Sequence, residues 1–223
     1  MLYIVATPIG NLKDITLRAL ETLQAVDLIA AEDTRHTRNL LTHYNIHTPL
    51  TSYFEHNKLS KGSYLVRLLQ QGKHIALVTD SGTPGISDPG YRLIQLALEN
   101  DIAITAIPGA CALINALVLS GLPSDSFSFE GYLPVKSGAR KRSLTVIAKE
   151  ERTVIFYESP HRLLKSLKDI LQVLGERDII IARELTKKFE EIQRGSPEAL
   201  LAHFTEHPPR GEFVILIRGR KQQ

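Results

Sequence analysis

With 223 residues, 43% of them hydrophobic and 23% charged, the chain has the composition of a folded globular protein, long enough for one large domain or two small ones. A formal net charge of +3 is too small to mark a nucleic-acid partner by itself, and the single cysteine, Cys111, excludes an internal disulfide framework and a cysteine-rich zinc site. No apolar run reaches the roughly 18 residues a membrane span needs, and the chain enters a strand pattern without the regions of a secretory leader. The expectation is a soluble cytoplasmic protein with no membrane partner.

Short apolar runs over residues 2–6, 26–31, 75–79 and 102–107 are strand-length and not alternating, which suits strands covered on both faces in a largely parallel sheet. Helical patterns over 14–23, 33–44, 59–71 and 91–99 lie between them, with Asp14 and Asp33 placed as N-caps. An apolar helix pattern over 110–119 leads to Gly121-Leu122-Pro123-Ser124-Asp125, the linker candidate. Beyond it, strand runs recur at 127–130, 153–157, 179–182 and 213–217. Leu163, Leu164, Leu167, Ile170, Leu171 and Leu174 repeat at helical spacing opposite Arg162, Lys165, Lys168 and Asp169. The expected fold is α/β, with two lobes, 1–121 and 122–223, each a sheet flanked by helices, and a cleft between them as the place for a ligand.

Three loops follow predicted strands and are rich in residues that bring backbone close to a ligand. They are Thr7-Pro8-Ile9-Gly10-Asn11, the stretch from Asp80 to Gly90, and Pro108-Gly109-Ala110-Cys111-Ala112. Glycine permits close approach, and in an open α/β sheet ligands gather at the carboxyl ends of the strands. The usual fingerprints are absent: no Gly-x-Gly-x-x-Gly, no phosphate loop ending Gly-Lys-Ser/Thr, no Gly-x-Ser-x-Gly elbow, no His-Glu-x-x-His metal spacing. These readings leave a cofactor-binding enzyme with its own style of loop.

The residues of 5–12, 31–37, 79–90, 156–162 and 182–187 together resemble the tetrapyrrole methylase superfamily, and the resemblance runs along essentially the whole chain. Within it the chain is similar to the branch that methylates the ribose 2′-hydroxyl of a cytidine in the decoding region of 16S rRNA. Tetrapyrrole enzymes carry a Gly-Pro-Gly-type first loop and a Gly-Asp-Pro-type second loop. Here those positions read Thr7-Pro8-Ile9-Gly10 and Ser81-Gly82-Thr83-Pro84, which argues against a porphyrin or corrin substrate.

The resemblance implies S-adenosylmethionine as cofactor, held by Pro8, Ser81, Gly82, Thr83, Ile86, Cys111 and Ala112, with Glu158 and the neighbourhood of Lys187 approaching from the second lobe. It also implies a homodimer. A ribose hydroxyl is a poor nucleophile while protonated, so a nearby base or cation helps. Glu158, His161, Glu184 and Lys187 are the catalytic candidates: Lys187 to stabilise a developing alkoxide, Glu158 or His161 to take the proton. Each has a plainer reading. Glu158 caps a helix, His161 lies on a solvated first turn, and Glu184 with Lys187 forms an exposed ion pair. For 16S rRNA, within the small ribosomal subunit, Lys136, Arg140, Lys141, Arg142 and Arg35 are the phosphate-contact candidates. Tyr53, Phe54, Tyr132 and Phe189 are the stacking candidates. No metal is called for, because the methyl donor is already activated. Two rivals stand beside this reading: a methylase of a tetrapyrrole or other non-RNA substrate, and a non-catalytic RNA-binding assembly factor.

Overall fold

The structure is a computed structural model that describes residues 1–56 and 58–220. The chain divides into two compact units, Met1–Cys111 and Ala112–Gln223.

The first unit runs β1 (Leu2–Val5), α1 (Leu17–Ala25), β2 (Leu28–Ala31), α2 (Thr34–His43), β3 (Leu50–Ser52), α3 (Lys58–Gln70), β4 (Ile75–Val78), α4 (Tyr91–Leu98) and β5 (Ile104–Ile107). Its five strands form one parallel sheet in the order β3-β2-β4-β1-β5. Successive strand side chains point to opposite faces, and the core splits accordingly. Leu2, Ile4, Ala30, Ile75 and Leu77 pack with Leu65, Leu69, Leu93 and Ala97 of α3 and α4. Val5, Ile29, Ala31, Ala76 and Val78 pack with Ala19, Leu23 and Leu41 of α1 and α2. Unbroken apolar runs thus mark strands with a helical layer on each side.

The second unit runs α5 (Ala112–Ser120), β6 (Phe127–Tyr132), α6 (Ser137–Ile147), β7 (Thr153–Glu158), α7 (Pro160–Leu174), β8 (Ile179–Arg183), β9 (Glu191–Gly195), α8 (Pro197–Glu206) and β10 (Phe213–Ile217). The sheet order is β6-β7-β10-β8-β9, with β6 and β7 parallel and the other pairings antiparallel. On one face Phe213, Ile215, Ile217, Ile179 and Ile181 meet Leu144, Leu163, Leu167, Ile170, Leu200 and Phe204 from α6, α7 and α8.

Helix α5 packs against β7, β8, β9 and β10. That packing explains why the units divide at Cys111 and not at the expected Gly121: the helix buries Leu113, Ala116 and Leu117 against the second sheet. Arg194 of β9 donates to the carbonyl oxygens of Leu119 and Ser120, tying down its end. The glycine and proline that resemble a linker make the turn between α5 and β6.

The first expected helix starts later than Asp14. That residue closes a 3-10 turn, Leu12–Asp14, and Thr16 caps α1 by accepting from the Ala19 N–H at 3.1 Å. Asp33 caps α2 as expected, accepting from the Arg35 N–H at 2.8 Å.

Candidate active site

In the first unit β4, β1 and β5 are adjacent and parallel, so the three glycine-containing loops leave the sheet at the same end. They are sewn together. Thr7 and Gly82 exchange backbone hydrogen bonds of 2.9 and 3.1 Å, and the Thr7 hydroxyl donates to the Thr79 carbonyl at 3.1 Å. The Thr83 hydroxyl reaches the Ala110 carbonyl at 3.1 Å, tying the second loop to the third. Gly82 has φ +85°, and a Cβ there would lie 3.3 Å from the Ile9 side chain and 3.6 Å from the Ala110 carbonyl oxygen. A Cβ on Gly109 would lie 2.8 Å from that of Ala6, closer than side chains pack. Gly109 is therefore required by its close approach to Ala6, and Gly82 by its positive φ, with the Ile9 side chain adding a tight contact.

Pro8, Ser81, Thr83, Ile86 and Cys111 are half-buried around this rim and Gly82 is buried; Ala112 opens α5. Two neighbours lie outside the expected cofactor set. The Thr79 hydroxyl is buried without a hydrogen-bond partner, a costly state unless something else completes it. The Asp80 carboxylate accepts from the Asp33 N–H at 3.0 Å. Burial, and then the charge of Asp80, pushes the Glu32 carboxyl up from its ordinary range.

In the second unit the strand register aligns Glu158 with Phe213 and Phe213 with Arg183. The end of β7, the start of α7 and the β8–β9 turn therefore share one end of the sheet. Glu158 is 2% exposed. Its carboxylate accepts from the Ser159 N–H at 2.9 Å and the Ser166 hydroxyl at 2.5 Å, and Arg162 Nε lies 3.3 Å away. Arg162 in turn donates to the Leu133 carbonyl after β6. This carboxylate is enclosed and occupied, so Glu158 is a positioning residue joining β7, α7 and the segment after β6. His161 is exposed on the first turn of α7.

Lys187 lies 2.9 Å from Glu184 and 2.7 Å from Glu212. Burial works against its charge, but the two carboxylates outweigh it and raise the ammonium above its usual range. Burial would likewise raise Glu184, yet the hydrogen bonds from Lys187 and the Glu212 N–H hold it low. The pair of the plainer reading forms, but it is half-buried and not exposed, and it has a third partner in Glu212. The cluster pins the turn, where Glu184 and Thr186 have φ of 49° and 66°.

The basic residues separate sharply. Lys136 and Arg142 are exposed and Lys141 is half-buried, but Arg140 is 3% exposed. Arg140 bonds Asp169 at 2.6 and 2.8 Å and donates to the carbonyls of Pro134 and Val135 at 3.2 and 3.0 Å. This corrects its place among the phosphate contacts: its guanidinium stitches α6 to α7. Arg35 is exposed and pairs with Asp33 at 2.8 Å. Among the aromatic candidates Tyr53 is 1% exposed and is a core residue, while Phe54, Tyr132 and Phe189 reach the surface. Among the described residues no group of three His, Cys, Asp or Glu is placed to hold a metal ion, and no helix is long and apolar enough to cross a membrane.

A doubly covered parallel sheet with a backbone-lined rim, followed by a mixed sheet, is the architecture of a class of α/β methylases. The chain matches the family model of Tetrapyrrole (Corrin/Porphyrin) Methylases over residues 1–201 and belongs to that family. It is 54% identical over 220 residues to the ribosomal RNA small subunit methyltransferase I of Synechocystis sp., covering 98% of this chain and 79% of that one. It is 46% identical over 220 residues to the protein of the same name from Thermotoga maritima, covering 99% of each. Among solved structures, cobalt precorrin-4 methyltransferase superposes with a TM-score of 0.71 at 20% identity, over 97% of this chain and 94% of that one. Uroporphyrin-III C-methyl transferase from Thermus thermophilus, complexed with S-adenyl homocysteine, superposes with a TM-score of 0.65 at 17% identity, over 96% of each. Likeness at those identities is one of fold.

Proposed function

We propose that this chain transfers a methyl group from S-adenosylmethionine to the ribose 2′-oxygen of a cytidine in the decoding region of 16S rRNA. The observation that carries the reading is 54% identity, over 98% of this chain, to a relative named for small-subunit rRNA methylation. S-adenosylmethionine supplies a methyl already activated on a sulfonium. The rim fits such a group: Gly82 and Gly109 let the three loops close on one another, and the buried Thr79 hydroxyl has an unused hydrogen-bonding capacity. Pro8, Ser81, Gly82, Thr83, Ile86 and Cys111 would hold it, with Ala112 next in the chain.

The protein's remaining task is to orient the acceptor oxygen and take its proton. In this reading His161 takes that proton, supported by its exposure where Glu158 is enclosed. Lys187, shared by two carboxylates, holds the β8–β9 turn in shape. Replacing Glu158 by alanine is expected to cost about 3–5 kcal/mol by leaving Arg162 beside an emptied site. Glu158→Gln keeps the Ser159 contact and costs less. A general base would behave otherwise, with Glu158→Gln abolishing turnover at unchanged melting temperature.

Lys136, Lys141, Arg142 and Arg35 face phosphates in this reading. Replacing Lys136 and Arg142 together by glutamine should weaken RNA binding across sequences. The slope of log affinity against log salt should become shallower by about 0.7 for each single-strand phosphate left without its cation. An unchanged slope removes these residues from the interface. The chain acts in the cytoplasm, where small subunits are assembled, and as a homodimer. The exposed apolar side chains of Ile114, Val118 and Leu119 on α5 support the dimer, and light scattering on the eluting protein measures it. The function itself is tested by incubating the protein with radiolabelled S-adenosylmethionine and unmodified small ribosomal subunits. Label in 16S rRNA is the expected result; none, with the cofactor bound, overturns it.

A further inference from the structure

The β8–β9 turn buries one apolar side chain and presents another. Leu185 is 6% exposed, whereas Phe189, four residues on, is 64% exposed. Isolated exposed hydrophobes are common, so exposure alone decides nothing. What distinguishes Phe189 is the rigidity of its support and the charge beside it.

Glu184 and Thr186 both sit at positive φ, 49° and 66°, and a β-branched residue rarely adopts that conformation. The turn is held there by the Thr186 N–H to the Glu190 carboxylate at 2.6 Å and by two backbone bonds, Lys187 to Glu184 and Glu190 to Lys187, at 3.0 and 3.1 Å. Lys187 is locked between Glu184 and Glu212. Lys188 is different: it is exposed, has no ion pair among the described residues, and its ammonium lies 5.6 Å from the centroid of the Phe189 ring. An exposed ring on a pinned turn, with one cation over it that has no ion pair among the described residues, matches an unpaired nucleotide: the base displaces the ammonium from the ring or takes the other face, and the ammonium meets its phosphate.

We propose that Phe189, with Lys188, is a stacking platform for an unpaired base of the RNA substrate. The proposal rests on the rRNA reading and deepens it by naming a substrate-contacting residue outside the cofactor rim. Phe189 shares its sheet end with Glu158 and the start of α7 through the β7–β10–β8 register, so a base held there lies at the end of the unit that carries His161.

The chain has no tryptophan, so F189W introduces a single indole whose fluorescence reports stacking. Two probes are added, unmodified small ribosomal subunits and a short single-stranded oligocytidylate. A control variant, Y91W, places the indole on α4 of the first unit, where Tyr91 is 68% exposed. Quenching of F189W but not of Y91W is the expected result. In the methyl-transfer assay F189A should raise KM for subunits by about 5- to 150-fold, the range for removing one stacked base, leaving KM for S-adenosylmethionine unchanged. F189Y should restore KM. An unquenched indole with an unaltered KM overturns the proposal, and so does dissociation of a dimer in F189A, which would make Phe189 a contact between copies. Transfer by the unaltered protein reports separately on the rRNA reading. If that transfer fails, the oligocytidylate arm still decides whether Phe189 stacks a base.

Discussion

Replacing Arg140 by alanine is expected to lower the stability of the protein by about 3–5 kcal/mol, the cost of removing one partner from a buried ion pair. The reason is what remains. Asp169 is 7% exposed, bonded by Ser137 at 2.9 Å and by Arg140. Burial alone would raise its carboxyl, but the hydrogen bonds from Ser137 and Arg140 outweigh that and hold it below its usual range. Without the guanidinium the carboxylate keeps only the Ser137 hydroxyl and the more distant Lys141, 3.6 Å away, and the carbonyls of Pro134 and Val135 are left without this donor.

The sign of the pH effect follows. A depressed carboxyl contributes stability that is fully present above its unfolded value, near 3.9, and is lost as pH falls through the lower folded value. The unaltered protein should therefore lose stability below about pH 4 more steeply than R140A does. Chemical denaturation of both proteins across that range measures it. Equal acid slopes, or a destabilisation under about 1 kcal/mol, would return Arg140 to the solvated surface and to the phosphate contacts.

The second large effect lies at the rim. Gly109→Ala places a Cβ 2.8 Å from that of Ala6, and neither atom sits on a flexible arm, so the end of β1 and the third loop must separate. Displacing the two loops is expected to weaken S-adenosylmethionine binding by tenfold or more, about 1.4 kcal/mol or above. The effect should be reversible from the other side. Ala6→Gly removes the obstructing methyl group and leaves only ordinary contact to the Ala6 carbonyl oxygen at 3.5 Å, so the double variant A6G/G109A should recover most of the affinity. Calorimetric titration of the four proteins gives the coupling directly. Strict additivity would mean that the tight approach of Gly109 to Ala6 has no part in the cofactor site.

The sheets are legible in the sequence wherever burial is double. Residues 75–78 are apolar throughout because α-helices cover both faces of β4, and the Phe213–Ile217 strand, buried at every position, can be read to the residue. The strands that leave no readable run, Leu50–Ser52 and Glu191–Gly195, are β3 and β9, each at one edge of its sheet; the opposite edges, β5 and β6, carry apolar or aromatic residues and are readable. Helix α6 is equally hidden, because the core position at Arg140 carries a charge whose partner, Asp169, is supplied from another helix. Its basic residues consequently read as one surface cluster, although one of them is interior. At the site, the glycines announce the rim, since close backbone approach leaves a residue-type signature. The enclosure of Glu158 leaves none, because the hydroxyl and guanidinium that occupy it come from the next turns of α7.

The most direct test of the central claim is the chemistry of the methylated product. A methyl on the ribose 2′-oxygen blocks alkaline cleavage of the adjacent phosphodiester, whereas a methyl on a base does not. The 16S rRNA labelled by this protein should therefore release its label on alkaline hydrolysis as a resistant dinucleotide with cytidine on the 5′ side. Label released in mononucleotides would place the methyl on a base and contradict the account.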